Sequence, residues 1–516
     1  MDPAPTDRAA LPQDLAACHA LIGGLLTELD VRDRKLRQLQ HQLEQLLRWR
    51  YGPRRERVDE NQLFLEALRL VSGEKPPSQP TTDQPPAAQP PTPTRPGHGR
   101  QRLPAHLPRQ RQEFDLPPDQ RHCPHCHGPL RHLGEELSER LEYVPATFRV
   151  IEEVCHQYAC ARGCTVVTAQ KPMQPIEKGL PGPGLLAHVA VNKFADHLPL
   201  YRQEAMLQRH GVKLSRSTMC DWMRRCAELV RPLYELMKQQ VLASHAVQTD
   251  DTPVAVLDPE LPRTRLGRIW TYVGDAEHPF TVYDYTPTRR QDGPLAFLKA
   301  FQGRLQADAY SGYDPLYEDP DRDIIEIACW AHARRKFYEA QTSDPMRSMI
   351  VLAYVRLLYD VEHEAREQGL KAEGRRTLRQ AKSVPILADI RRYLETEQPK
   401  VLPKSPIGEA ISYTLNNWEA LRRYADDGAL EIDNNGAERS LRPIAIGRKN
   451  WMFYGSDNGG KTAAVLGSLV ATCKRLHIDP FVYLRDLFGR ISAHPAQRLE
   501  ELLPNQWKTA HAADTS

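Results

Sequence analysis

The stretch from Ala246 to about Ala340 constrains the fold most. AVQTDDTPVAVL, RIWTYVGDA and PFTVYDYTPTR read as three successive strands, with turns at Asp258 to Leu266 and Asp275 to Pro279. GPLAFLKAFQG then reads as a helix, and RLQADAYSGYDPLY as a strand ending in an acid. DIIEIACWAHARRKFYEA reads as a strand running into a helix.

Three strands, helix, strand, helix, strand is the order of a ribonuclease-H-like α/β core. Residues from about Ser343 to Asp427 are helical and charged and read as an insertion in that core, which spans about 245–465. In such a sheet the first and fourth strands are neighbours. Asp250 closes the apolar run AVQTD and Asp308 closes RLQAD, so both acids are placed to converge. Glu438 opens a helix-like run, NGAERSLRPIAI, after a polar turn. One acid at a strand end is ordinarily a solvated group. Three in this order form a set that can hold hard divalent cations and leave positions open for phosphate oxygens and water. Arg439, Arg442 and Lys449 supply cations beside the set, and His332 in HARRKF is a candidate neighbour.

A rival motif lies just downstream. Gly455 to Thr462, GSDNGGKT, satisfies the phosphate-cradling P-loop pattern and by itself suggests an ATPase. A P-loop, however, is followed by the strand that carries a second, metal-binding Asp. The remaining residues read as helix, including a C-terminal segment at 466–505, so Lys461 is expected in a Gly-rich turn before a helix.

Upstream, the pattern is that of association and binding modules. Leu15, Ile22, Leu29, Leu36 and Leu43 fill one heptad seam position; Cys18, Leu25, Arg32, Leu39 and Leu46 fill the other. This reads as a coiled coil within a module at 11–72, and hence as self-association or pairing with a partner helix. A Pro-rich tether and basic arm follow at 73–115, with Arg95, Arg100 and Arg102 able to track phosphates. At 116–170, Cys123 and Cys126 in CPHCHG and Cys160 and Cys164 in CARGC match a zinc ribbon holding one structural ion, with Cys155, His125 and His127 as spare ligands. Region 180–240 is phrased as a helix-turn-helix, its last helix headed by Arg216 and Ser217.

Composition sets few limits. The net charge of +3 is too small to argue for nucleic acid, and the basic character is local. No apolar run reaches the roughly 18 residues of a membrane span, and MDPAPTDRAALPQ lacks a signal-peptide pattern, so the cytoplasm is the expected compartment.

TDDTPV, ADAYSGYD, CWAHARRKF, DNNGAERSLRPIAIGRKNW and IDPFVYLRDL together resemble the insertion-sequence 66 family of bacterial transposases, over nearly the whole chain. The resemblance implies a DDE transposase with two Mg²⁺ or Mn²⁺ ions at Asp250, Asp308 and Glu438, acting on element ends and target DNA. It also implies accessory proteins encoded by the same element. Asp251 stands where the family usually has Glu, so the first ligand is Asp250 or its neighbour, with Asp250 favoured. A non-enzymatic DNA-binding protein is the main rival, and it leaves the acids idle.

Overall fold

In the computed structural model the described residues are 179–513 and 173–177, with short stretches before them (23–24, 148, 150–152, 157–159 and 166–168). The chain divides into two compact units, one of Met1–Pro76 with Gln170–Ser516 and one of Pro77–Ala169. In the latter, β1 (Gln157–Ala159) and β2 (Val166–Thr168) pair antiparallel, Tyr158 opposite Val167. Cys160 and Cys164 fall between these strands in the sequence. They lie outside the described residues, as do Cys123, Cys126, Arg95, Arg100, Arg102 and the heptad run apart from the helical Gly23 and Gly24.

The larger unit is built on a five-stranded sheet. Its strands are β3 (Ala246–Val256), β4 (Arg265–Val273), β5 (Thr281–Thr286), β6 (Gly303–Gln306) and β7 (Ile324–Ile327), in spatial order β5-β4-β3-β6-β7. The first three form an antiparallel meander; β6 and β7 add in parallel. Short helices α5 (Asp292–Phe297) and α6 (Asp314–Tyr317) make the crossovers. The chain is thus a mixed α/β protein, and the strand-and-helix order matches the sequence expectation.

Helices α1 (Pro183–Phe194), α2 (Leu200–Arg209), α3 (Arg216–Leu229) and α4 (Arg231–Leu242) precede the sheet. Ser215 caps α3 by accepting from the Thr218 N–H. Met219, Trp222, Met223 and Cys226 on one stripe of α3 are buried, in a core shared with one face of the sheet. After β7, α7 (Trp330–Ala340) leads into α8 (Pro345–Glu367), α9 (Ala372–Glu397), α10 (Pro406–Asn416) and α11 (Trp418–Arg422). These helices occupy the stretch that the sequence reads as an insertion, and they pack a second core around Trp330, Phe337 and Trp418.

Within that insertion the Arg379 guanidinium is fully buried, and each of its N–H groups has a partner. Two bonds go to the Glu362 carboxylate and three to the carbonyls of Tyr424, Asp427 and Leu430. This clamp fixes the path by which the chain returns to the sheet. It re-enters at α12 (Asn435–Trp451), which lies across β3 and β4. The chain then closes with α13 (Asp457–Arg475), α14 (Pro480–Arg490) and α15 (Pro504–Ala513).

Strand β5 is a sheet edge, and α13 covers it. The free N–H groups of Thr281 and Tyr283 donate to the hydroxyls of Thr472 and Ser468 at 3.0 and 2.8 Å. An edge that would otherwise template another strand is thereby satisfied by a helix.

Candidate active site

Strand parity decides which side chains can meet. Successive residues of a strand point to opposite faces, so Val247, Thr249 and Asp251 share one face of β3, and Gln248, Asp250, Thr252 and Val254 share the other. Helix α12 covers the second face. Gln248 Nε2 donates to the Asp433 carbonyl at 3.0 Å, and Arg448 bonds Thr252 Oγ1 at 3.0 Å. On β4, Thr271 lies opposite Asp250 and meets Ser440 of α12, Oγ1 to Oγ, at 2.7 Å. Asp250 therefore faces the helix that carries Glu438.

Asp251 turns the other way. Its side chain is 3% exposed and accepts from Arg268 at 2.8 Å and Arg289 at 2.9 Å. Asp250 has no ion pair among the described residues; its Oδ1 accepts only the Asp251 N–H, at 2.7 Å. Burial pushes the Asp250 carboxyl up to about 7. The Asp251 N–H works against that rise, and the charges of Asp308, Asp251 and Glu438 add to it.

The sequence placed Asp250 at a strand end, whereas it sits within the eleven residues of β3. The difference has a physical reason. β6 pairs with β3 only over Ala246–Gln248, so beyond Gln248 no described strand pairs with that side of β3 until the bridge of Val256 to Tyr454. Pro253, which has no N–H to donate, is tolerated there. The two parallel strands part after Gln248 and Gln306.

Asp308 follows the same geometry from β6. Gln248 is in register with Gln306, and their side chains bond at 2.9 Å. Two residues further along each chain come Asp250 and Asp308. The strand stops at Gln306 and not at the acid, because Ala309 turns into the left-handed region with φ 60°.

Glu438 stands in the first turn of α12, which an ordered polar turn presents. Asp433 accepts from the Tyr359 hydroxyl at 2.8 Å and from Asn435 Nδ2 at 2.7 Å. Asn434, fully buried, donates its N–H to Cys329 Sγ at 3.4 Å, while its Oδ1 has no partner. Gly436 leaves room for Gln248: a Cβ there would sit 2.2 Å from Gln248 Oε1. His332, in the first turn of α7, places Nε2 3.6 Å from Glu438 Oε1, and its Nδ1 is buried without a partner. Among the described residues, no group of three or more acids, His or Cys is drawn tightly enough to cage an ion as it stands.

Arg439, Arg442 and Lys449 are exposed on α12 and form no ion pair among the described residues. Arg216 and Ser217 are exposed at the head of α3, whose neighbours are α1, α2, α4 and α13 and not the strands bearing the acids. The Gly-Lys-Thr motif forms no loop. Helix α13 begins at Asp457, so Gly459, Gly460 and Lys461 are already helical, and Asp457 pairs with Arg265 and Tyr285. A Cβ on Gly460 would meet the Tyr285 ring at 2.5 Å, so this glycine serves packing. Sequence reasoning missed the links of Gln248 to Gln306 and of Asp251 to Arg268 and Arg289. Counting parity from Asp250 would have found which neighbours each acid takes.

The profile of the Transposase IS66 family matches residues 178–462, and that of the IS66 C-terminal element matches 468–505. A zinc-finger binding domain of transposase IS66 matches 120–164, and a profile described as Transposase C of IS166 homeodomain matches 38–111. Relatives include the uncharacterized protein y4qI of Sinorhizobium fredii (strain NBRC 101917 / NGR234), 36% identical over 536 residues, 97% of this chain and 95% of that one. Another, y4hP of the same strain, is 36% identical over 414 residues, 76% and 74% of the two chains. With acids at the parting of two strands, and with these matches running along its length, the chain belongs to the IS66 family of transposases, DNA-cleaving enzymes of the DDE type.

Proposed function

We propose that Asp250, Asp308 and Glu438 of a ribonuclease-H-like core hold two divalent cations, Mg²⁺ or Mn²⁺, at which DNA is cut at the element ends and joined to target DNA. The observation that carries this reading is the opposite orientation of two adjacent aspartates. Asp251 is neutralised by two arginines, while Asp250 faces Glu438 with its charge unmatched. Carboxylate oxygens suit hard divalent ions, and burial, with the charges of Asp308 and Glu438 adding to it, raises the Asp250 carboxyl. When bound, the ions lower the pKa of water and neutralise charge on the reacting phosphate.

The chain's own residues position the reactants. Gln248 and Gln306 hold the two aspartate-bearing strands together, and Gly436 lets α12 approach them. His332 flanks Glu438 and orients it. Arg439, Arg442 and Lys449 hold DNA phosphates, and Arg216 and Ser217 enter a groove. Water hydrolyses the phosphodiester at the element end and leaves a 3′-hydroxyl. That hydroxyl then attacks a target phosphodiester and releases the 3′-oxygen of the target strand.

Upstream, Cys123, Cys126, Cys160 and Cys164 hold one structural Zn²⁺, and Arg95, Arg100 and Arg102 track the backbone. The heptad run at Leu15 to Leu47 pairs protomers so that two ends are held together, with accessory proteins of the element assisting. No helix of the described residues is long and apolar enough to cross a membrane, and the work proceeds on DNA in the cytoplasm. The test is cleavage of element ends by the full chain with its accessory partners in Mg²⁺ or Mn²⁺. Asp308→Ala abolishes cleavage on this reading; retained cleavage in that variant refutes it.

A further inference from the structure

Helix α12 does more than present Glu438. At 100° per residue, its exposed positions Arg439, Arg442, Ile446 and Lys449 fall on the same side as Glu438, in one stripe. The stripe runs from the acids to the far end of the helix, where it meets two apolar side chains, Met452 (68% exposed) and Phe453 (41% exposed). We propose that Met452 and Phe453 form a wedge that contacts unstacked DNA bases at the end of this cationic rail. The proposal rests on the reading of α12 as the DNA-facing helix.

Three observations carry it. First, the knuckle is held in place and not frayed. Met452 caps α12 by donating its N–H to the Arg448 carbonyl at 2.9 Å. Tyr454 is pinned to β3 by its N–H to Ala255 at 2.9 Å and by its carbonyl accepting from Leu257 at 2.8 Å, and Trp451 stacks on Tyr454 at 4.5 Å. Second, Met452 has φ 63° and ψ −48° and centres a γ-turn that the Phe453 N–H closes on the Trp451 carbonyl at 2.8 Å, a positive-φ conformation easy for glycine and strained for a long side chain. The turn thus carries an unfavourable residue whose side chain is turned to solvent, a pattern that points to use of that side chain.

Third, charge and reach select the occupant. The stripe leading to the knuckle is cationic, with its three basic side chains unpaired among the described residues, which suits a phosphate backbone. From Glu438 to Met452 the helix rises about 21 Å at ~1.5 Å per residue, or roughly six base pairs at ~3.4 Å each. DNA whose phosphates follow the rail from the acids therefore arrives at the knuckle with its bases within reach. Apolar Met and Phe side chains are the residue types that part base steps.

The test uses the full chain and two synthetic 30-base-pair duplexes, one intact and one with a two-base bulge containing 2-aminopurine. The expected wild-type behaviour is tighter binding of the bulged duplex, with a change in 2-aminopurine fluorescence. In Met452→Gly/Phe453→Ala that preference falls by about five- to a hundredfold, the range for base–aromatic stacking, with an unchanged salt slope. Phe453→Trp retains it. Met452→Gly relieves backbone strain and melts no lower than wild type, so lost preference is not lost folding.

Arg442→Ala and Lys449→Ala weaken both duplexes alike and lower the salt slope by about one each. An unchanged preference in the double variant overturns the wedge. So does equal loss on both duplexes with a flatter salt slope, or a change of oligomeric mass with DNA preference intact, which would make the knuckle a seat for a second copy. Cleavage separates this from the catalytic reading. If Asp308→Ala still cleaves while the bulge preference stands, the triad assignment fails alone; the converse result removes the wedge alone.

Discussion

Asp250→Asn and Asp251→Asn should change stability with opposite signs, although the two residues are adjacent and chemically identical. The Asp250 carboxyl rises from 3.8 to about 7 through burial and neighbouring acids. Its folded pKa lies above its unfolded one, so the stabilising contribution of the proton is fully present below about 3.8 and is lost as pH rises through about 7. A tenfold change in proton affinity corresponds to ~1.4 kcal/mol, so at pH 8 without metal the ionised group costs the fold on the order of 2–4 kcal/mol. Asparagine keeps the shape and removes the charge. In EDTA, Asp250→Asn is therefore expected to unfold at higher urea than wild type at pH 8, with the gap closing towards pH 4. Mg²⁺ should narrow the difference from the other side, by stabilising wild type alone.

Asp251→Asn leaves Arg268 and Arg289 without their carboxylate. Breaking a wholly buried pair costs ~3–5 kcal/mol. Here Arg289 is about two-fifths exposed and water can take up its charge, so the discounted loss is about 1–3 kcal/mol. Cleavage separates the pair again. Asp250→Asn should abolish it at any Mg²⁺ concentration, while Asp251→Asn retains a measurable rate. Urea midpoints at pH 5 and pH 8 with a cleavage assay give both answers. Destabilisation by both variants at pH 8 would refute the parity argument.

The remaining predictions concern the supports of the site. Arg379→Met should lower the urea midpoint by ~3–5 kcal/mol equivalent, chiefly because the Glu362 carboxylate is left buried without a donor, whereas the Leu430 and Asp427 carbonyls keep the Arg375 guanidinium and the Leu430 N–H; adding Glu362→Leu should recover most of it, and failure to recover would show that the carboxylate is not the cause. Gly436→Ala pushes into Gln248, whose amide is already tied to Gln306 and Asp433; a loss of ~1–3 kcal/mol and a cleavage rate down at least tenfold are expected, and wild-type cleavage would refute the close approach. Removal of zinc by a chelator should release about one ion per chain and weaken binding to element ends, with the melting of residues 179–513 unchanged; a metal count of zero would remove the ribbon assignment.

Much of this was legible in the sequence because it rests on periodicity and order. Strand alternation marks β3 to β5, the change to helical spacing marks the helices after β7, and the order of elements puts Asp308 just beyond β6, the neighbour of β3. What was not legible depends on where partners stop. Nothing in RLQAD indicates that β6 ends at Gln306, since that depends on the left-handed turn at Ala309. Nor does GSDNGGKT reveal that Gly460 packs a helix against Tyr285, since a local motif does not say what lies above it.

The deeper lesson lies in TDDT. A pair of adjacent acids on a strand cannot share one site, because the pleat sends them to opposite faces. Whichever faces the partner acids must remain unneutralised to take a cation, and the other must be neutralised or it would add to the repulsion through the sheet. The two arginines on Asp251 therefore make the unpaired state of Asp250 tolerable. A glutamate at 251 would reach the same arginines with a longer arm. On that argument Asp251→Glu should keep both the fold and the cleavage rate within a few-fold of wild type, whereas Asp250→Glu, which moves the oxygens by a bond length on the face toward α12, should not.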